Sequence, residues 1–429
     1  MRKIHEHNSV YSTLKIHVID PSTRFSFRRL EMLGTENIPK DGAIILAPNH
    51  CNTLMDALVV LQSRKGPTVF GARADIFNSP VLAKIMTFLR ILPMVRERDG
   101  IRNVIRNKET MEVISEVLRD RVPYCVFCEG THRPKHSLLP IKKGIFRTAF
   151  TAIQSGASDT VKIVPVGLDY SDFFRFRGKC VMEFGSPLDV GSYIDKTEEN
   201  IPAETYRELS KELSSRISEL ITFIPDDELY DGKWALVRIL GADVQGKMSV
   251  IKKMNRWNAA AIERVLEKEP EKMKKLLDEA KEFDTERHER RISIYSFCHK
   301  APGIAARSLL WLISLPLYLV CAVLSMPIWL TATVICSKMK DRAFHNSVRM
   351  LVKMVLTPFT LIIWAILFFC TIKWYAALVL CLLFLPGCRI FYDYREFSRI
   401  LLSDWKLTIS GKGLKSRFAA IKESFLELI

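Results

Sequence analysis

The chain is short of acid: 47 aspartates and glutamates stand against 63 lysines and arginines, a net charge of +16 with the histidines neutral. That sign disfavours cationic partners and suits nucleic acid, acidic lipid headgroups and phosphorylated substrates alike. Internal repeats and low-complexity stretches are missing too, which excludes a solenoid and a disordered chain. The first residues, Met1-Arg-Lys-Ile-His-Glu-His7, have neither an apolar core nor a small-residue cleavage site. No secretory leader is therefore expected, and the ten cysteines are expected to be free thiols in a reducing, cytosolic setting. Charge is scarcest near the end of the chain. Ser308 to Cys336 holds no charged residue, and Met354 to Cys388 holds only Lys373.

A membrane-spanning helix needs roughly 20 apolar residues, so each of these runs is long enough to cross a bilayer. Basic residues precede the first run (Lys300, Arg307), separate the two (Lys338, Lys340, Arg342, Arg349, Lys353) and follow the second (Arg389, Arg395, Arg399). The positive-inside tendency puts all three clusters on the cytosolic face. That requires an even number of crossings per run, hence two helical hairpins. Pro316 or Pro327 would shape the first bend, and the second run would turn near Lys373. Nucleic acid is set aside as a partner, because no recognition motif is present and the apolar runs would have no role. The expectation is an integral membrane protein with membrane lipids among its partners and its catalytic domain on the cytosolic face.

Composition divides the 429 residues into four parts. Residues 1–195 read as an α/β domain, 196–300 as a charged helical region, 301–392 as a transmembrane region of two to four spans or hairpins, and 393–429 as a basic cytosolic tail. Short apolar runs at Gly42–Pro48, Tyr124–Phe127 and Val161–Gly167 read as buried strands. Helical spacing marks Asp56–Gln62, Ile105–Leu118, Ala203–Ile221 and Val250–Glu282. Strands alternating with helices argue for a sheet flanked by helices. The Glu/Lys run beginning at Glu267 reads as a solvated face.

The strongest chemical signal is Pro48-Asn-His-Cys-Asn-Thr-Leu-Met-Asp56. A strand ends at Pro48 and a helix begins near Thr53 or Asp56, so His50 falls in the turn at a strand's carboxyl end, where α/β proteins place their sites. Asp56 is close enough in sequence to hold one imidazole nitrogen and leave the other to take a proton. Cys51 beside His50 is not read as a nucleophile, because sequence neighbours rarely align as a catalytic pair. Cys125-x-x-Cys128 followed by His132 and His136 suggests zinc ligation. Residues three apart on a strand point to opposite faces, however, and the gap before His132 is shorter than in the usual fingers. No metal is expected.

These residues resemble the glycerol-phosphate acyltransferase superfamily, which carries four ordered blocks. The first is a His and an Asp, usually with four residues between them; here there are five, Cys51 to Met55, as in the fungal-type glycerol-3-phosphate acyltransferase branch. The second resembles Gly71-Ala-Arg-Ala-Asp-Ile-Phe77 with Leu92-Pro-Met-Val-Arg-Glu-Arg98, although Ala83 and Arg90 replace glycines often found between them. The third resembles Phe127-Cys-Glu-Gly-Thr131, followed by His132-Arg133 and Pro140-Ile-Lys-Lys-Gly144; the fourth resembles Ile163-Val-Pro-Val-Gly167. The resemblance implies an acyltransferase-type sheet, followed here by the charged helical region and C-terminal transmembrane helices. It implies transfer of a fatty acyl group from an acyl thioester, on coenzyme A or acyl carrier protein, to glycerol-3-phosphate or 1-acylglycerol-3-phosphate. No cofactor, metal or acyl-enzyme is implied. His50 and Asp56 would be catalytic, and Arg73, Arg96, Glu129, Gly130, Thr131 and Arg133 would bind substrate. Acylation of another lysolipid, or a membrane-anchored lipid-binding scaffold without chemistry, remains the alternative. The extra residue in the first block keeps the scaffold open.

Overall fold

The computed structural model describes residues 3–94, 102–194 and 201–429, with only the backbone of 102–107. It divides into two units, Met1–Phe174 with Gly178–Ile221, and Arg175–Arg177 with Thr222–Ile429.

In the first unit, helices α1 (Ser9–Leu14) and α2 (Asp20–Ser26) precede strands β1 (Phe27–Leu33) and β2 (Ala43–Pro48). Helix α3 (Leu54–Leu61), strand β3 (Val69–Arg73), helix α4 (Pro80–Phe88), strand β4 (Ile91–Met94) and helix α5 (Arg102–Arg119) follow in alternation. Strand β5 (Tyr124–Cys125) and helix α6 (Gly144–Gln154) lead to β6 (Val161–Tyr170), β7 (Gly178–Phe184) and β8 (Leu188–Asp189). Helix α7 (Ala203–Leu220) closes the unit.

The strands form one sheet in the order β1-β7-β6-β2-β5-β3-β4, with β8 also paired to β6. From β6 to β4 every neighbour is parallel, whereas β7 runs antiparallel to β6. All six residues of β2 are buried. A continuous apolar run such as Ala-Ile-Ile-Leu-Ala suits a strand covered on both faces. Parallel strands end at a common edge, so the segments that follow β2, β3 and β5 emerge together.

Ile45, Val69, Tyr124, Phe146 and Ile163 form the core, joined by Leu209, Leu213 and Ile217 of α7. The α/β unit therefore runs to Ile221 and not to residue 195. The spacing of Leu209, Leu213, Ile217 and Leu220 predicts a helix, but it does not say which core the stripe serves. Contact is close enough that a Cβ on Gly167 would come within 2.8 Å of the Leu220 carbonyl oxygen.

The second unit is helical: α8 (Tyr230–Leu240), α9 (Met248–Lys268), α10 (Pro270–Glu289), α11 (Ala301–Ser337), α12 (His345–Thr371), α13 (Trp374–Ser410) and α14 (Lys412–Leu428). Pro270, which cannot donate to the ladder of the preceding helix, starts α10. Leu236, Ile262, Met273, Leu277 and Phe283 share a core with Leu407, Leu414, Ile421 and Phe425. Residues 393–429 are thus no free tail: Leu407, Leu414 and Ile421, seven apart, are folded into the helical core with Phe425.

Segments Ala301–Ser337, Arg342–Thr371 and Trp374–Ser410 are long and apolar enough to cross a membrane. Contacts along α13 show that α11 bends back. The Trp405 indole donates to Ser308 Oγ at 3.0 Å, and the Trp311 indole donates to Ser398 Oγ at 2.9 Å. Tyr318 stacks on Tyr394 at 4.1 Å, and Cys321 packs on Gly387. To this point the two helices run antiparallel. Beyond it the order reverses: the Trp329 ring lies 5.9 Å from that of Phe391 and 4.5 Å from the Arg395 guanidinium. A straight α11, rising about 1.5 Å per residue, would separate Trp329 and Arg395 by roughly 24 Å along the axis, beyond the reach of both side chains. Pro327, with no N–H to give the ladder, lies at the turn. The second apolar run breaks at Ile372-Lys373, between α12 and α13.

Candidate active site

The chain leaves β2 tightly held. Asn49 accepts the Leu168 N–H at 2.6 Å and donates to the Leu168 carbonyl at 3.0 Å, locking the strand's end against β6. His50 comes next and Asp56 follows within the first turn of α3. Between them Thr53 adopts φ 49°, ψ −129°, a conformation that glycine ordinarily supplies in a tight turn. This turn takes up the fifth intervening residue and restores the His–Asp geometry.

The Asp56 carboxylate is fully buried and fully used. Oδ2 accepts His50 Nδ1 at 2.8 Å, the Cys51 N–H at 2.8 Å and the Asn52 N–H at 2.7 Å, while Oδ1 accepts the Tyr170 hydroxyl at 2.6 Å. Buried polar atoms demand such partners. With Nδ1 held by the carboxylate, Nε2 is the nitrogen left for a substrate proton. The His50 ring stacks on Phe127 at 4.2 Å and meets the edge of His132 at 5.7 Å. Burial pushes the Cys51 thiol well above its ordinary range, and the neighbouring Asp56 adds to this. A thiol so held stays protonated and is a poor nucleophile.

Both ends of the His50 peptide are clamped. Its N–H donates to Glu129 Oε1 at 2.7 Å, and its carbonyl accepts the Arg133 N–H at 2.9 Å. The other Glu129 oxygen accepts the Leu139 N–H at 2.7 Å. Burial raises the Glu129 pKa, partly offset by these two amides and by His50. Gly130 turns the loop at φ 75°, which a side chain would disfavour. Thr131 is exposed just beyond it.

The structure therefore brings His50, Asp56, Glu129, Gly130, Thr131 and Arg133 together, with roles that differ from a uniform substrate clamp. Glu129 spends both oxygens on backbone amides and positions the turn that carries His50. The Arg133 guanidinium donates to Ser137 Oγ at 2.8 Å, within its own loop. Arg73 ends β3 on the same sheet edge, two strands from β2 by way of β5, and so about 10 Å away at the usual strand spacing. It is exposed and paired with Asp75. Arg96 and Arg98 lie outside the described residues. Sequence reasoning missed Asn49, Phe127 as a stacking partner, and Tyr170. The only signal for Tyr170 was its place three residues beyond the fourth block.

The acyltransferase family model matches residues 29–169, the stretch that holds every one of these groups but Tyr170. Residues 29–169 are an acyltransferase-family domain. Relatives of the domain include glycerol-3-phosphate O-acyltransferase 2 of Saccharomyces cerevisiae, 30% identical over 122 residues, which are 28% of this chain and 16% of that protein. Glycerol-3-phosphate O-acyltransferase 1 of the same yeast is 34% identical over 94 residues, 22% of this chain and 12% of that protein. Human 1-acyl-sn-glycerol-3-phosphate acyltransferase alpha is 26% identical over 186 residues, 41% of this chain and 59% of that protein. The chain thus spans less than a fifth of the two yeast relatives. Among solved structures, the 1-acyl-sn-glycerophosphate acyltransferase PlsC of Thermotoga maritima matches at a TM-score of 0.33 and 23% identity, covering 47% of this chain and 78% of that one.

Proposed function

We propose that the protein acylates the hydroxyl of glycerol-3-phosphate or 1-acylglycerol-3-phosphate from an acyl thioester, a step of phosphatidic acid synthesis. The observation that carries this reading is the His50 imidazole, held through Nδ1 by a buried carboxylate and through both ends of its peptide by Glu129 and Arg133. A hydroxyl is a poor nucleophile near neutral pH, and an imidazole is the side chain suited to take its proton there. Nε2 takes the proton as the oxygen attacks the thioester carbonyl. The tetrahedral oxyanion collapses, the carbon–sulfur bond breaks, and the imidazolium returns the proton to the leaving thiolate. Asp56 keeps Nδ1 protonated throughout and so fixes the tautomer. Arg73, freed from Asp75, and Arg96 supply guanidinium groups for the acceptor phosphate.

The turn at Thr53 favours the enzyme over the scaffold, since the extra residue costs the His–Asp pair nothing in geometry. The bent α11 and the α12–α13 pair support two membrane hairpins, which leave residues 222–300, 338–344 and 411–429 on one face. The basic clusters around the apolar runs make that face the cytosolic one.

Membranes holding the protein, supplied with acyl-coenzyme A or acyl carrier protein thioester and with labelled glycerol-3-phosphate, lysophosphatidate or glycerol, test the reading. Phosphorylated acceptors gain the label and glycerol does not. Turnover of no acceptor with either donor would instead support a scaffold.

A further inference from the structure

A cleft of about 390 Å³ opens where α13 meets α11 and the end of α10, lined by Arg291, Arg395, Arg399, Lys406, Tyr318 and Ser398. Four cations converge there. Glu396 pairs with Arg399, but among the described residues no carboxylate forms an ion pair with Arg291, Arg395 or Lys406. Arg395 instead lies over the Trp329 ring at 4.5 Å. Arg291 sits just past α10 at φ 56°, a left-handed cap position at which glycine is the unstrained residue.

The surroundings set the level of this cleft in the bilayer. Tyr318 lines it and stacks on Tyr394 at 4.1 Å, Trp311 lies 6.2 Å from Tyr394, and Trp329 lies under Arg395. Aromatic side chains with a polar tip collect at the headgroup level. On α11 next to them, Leu309, Leu312, Ile313 and Leu317 are exposed, an apolar face for lipid tails. Cations at this height attract anionic headgroups.

We propose that this cleft holds the phosphate of an anionic membrane phospholipid, a second lipid site in the helical unit apart from His50. Arg291 and Lys406 grip the phosphate, and the acyl chains run down the exposed face of α11. The site rests on the membrane seating of α11 to α13 and not on the acyl-transfer reading.

Titration of the full-length protein in detergent micelles with short-chain phosphatidylglycerol tests it. Short-chain phosphatidylcholine and sodium phosphate are the controls, and tryptophan emission is the readout. Phosphatidylglycerol binds more tightly than phosphatidylcholine. Arg291→Gln with Lys406→Gln weakens it on the order of 30-fold, taking about 1 kcal/mol per basic residue. Arg291→Lys with Lys406→Arg retains it. Arg291→Gly separates binding from folding: it weakens binding on the order of fivefold while melting no lower than wild type. Equal binding of both phospholipids, or wild-type affinity in the double Gln variant, overturns the proposal. Sodium phosphate binding as tightly as the lipid does so too, because a soluble phosphate would then be the ligand. Acyl transfer is assayed separately, so either reading can fail alone.

Discussion

Asp56 Oδ2 lies 2.8 Å from His50 Nδ1 although five residues separate the two. The same oxygen accepts the N–H groups of Cys51 and Asn52, so the carboxylate shapes the turn that presents the imidazole. Asp56→Asn keeps the volume but turns an amide into a site lined with donors. Acyl transfer is expected to fall by about a hundredfold or more, with KM for the acceptor little changed. Initial rates over a range of acceptor concentrations check this.

Thr53 carries strain of roughly 1–3 kcal/mol in a conformation that costs glycine little. Thr53→Gly is expected to retain activity and raise the melting temperature by a few degrees, and Thr53→Pro, whose ring fixes φ near −65°, to abolish turnover. Calorimetry beside the transfer assay measures both.

Much of this site was legible in the sequence. The apolar run ending at Pro48 announced a buried strand, and the turn residues after it placed His50 at its carboxyl end. Glu129 was found, but its role was not, because a sequence does not show whether a buried carboxylate faces substrate or backbone amides. Arg133 misled for a related reason: its peptide N–H holds His50, while its guanidinium folds back on Ser137. Long-range packing was the least legible part. Leu213 and Ile217 gave a helix but not its core, and the basic composition after residue 393 hid the stripe formed by Leu407, Leu414 and Ile421. The proline bend and the break near Lys373 were readable, since both follow from local chemistry.

The helical unit carries its own acid sensitivity. Burial alone would raise the pKa of Asp284, but His288, Arg238 and Arg287 outweigh it and hold the carboxyl well below the ordinary range. A depressed folded pKa stabilises the fold above the unfolded value, about 3.9, and this contribution fades as the pH drops toward the folded value. Acid unfolding of wild type followed by circular dichroism is expected to begin below about pH 4. Asp284→Asn is expected to lower stability at neutral pH and to flatten that acid limb.

Bending of α11 has a topological consequence. In sealed vesicles, Lys300→Cys and Lys340→Cys in a cysteine-free background are expected to react with an impermeant maleimide from the same face, and Lys373→Cys from the opposite one. Labelling of positions 300 and 340 from opposite faces would mean that α11 crosses the bilayer straight.

The proposed mechanism requires the His50 imidazole to take the acceptor's proton. Free thiol released from an acyl thioester in the presence of lysophosphatidate or glycerol-3-phosphate, compared between wild type and His50→Ala at equal amounts of folded protein, tests it most directly. The variant is expected to lose about a hundredfold or more. Matching rates from the two proteins would contradict it.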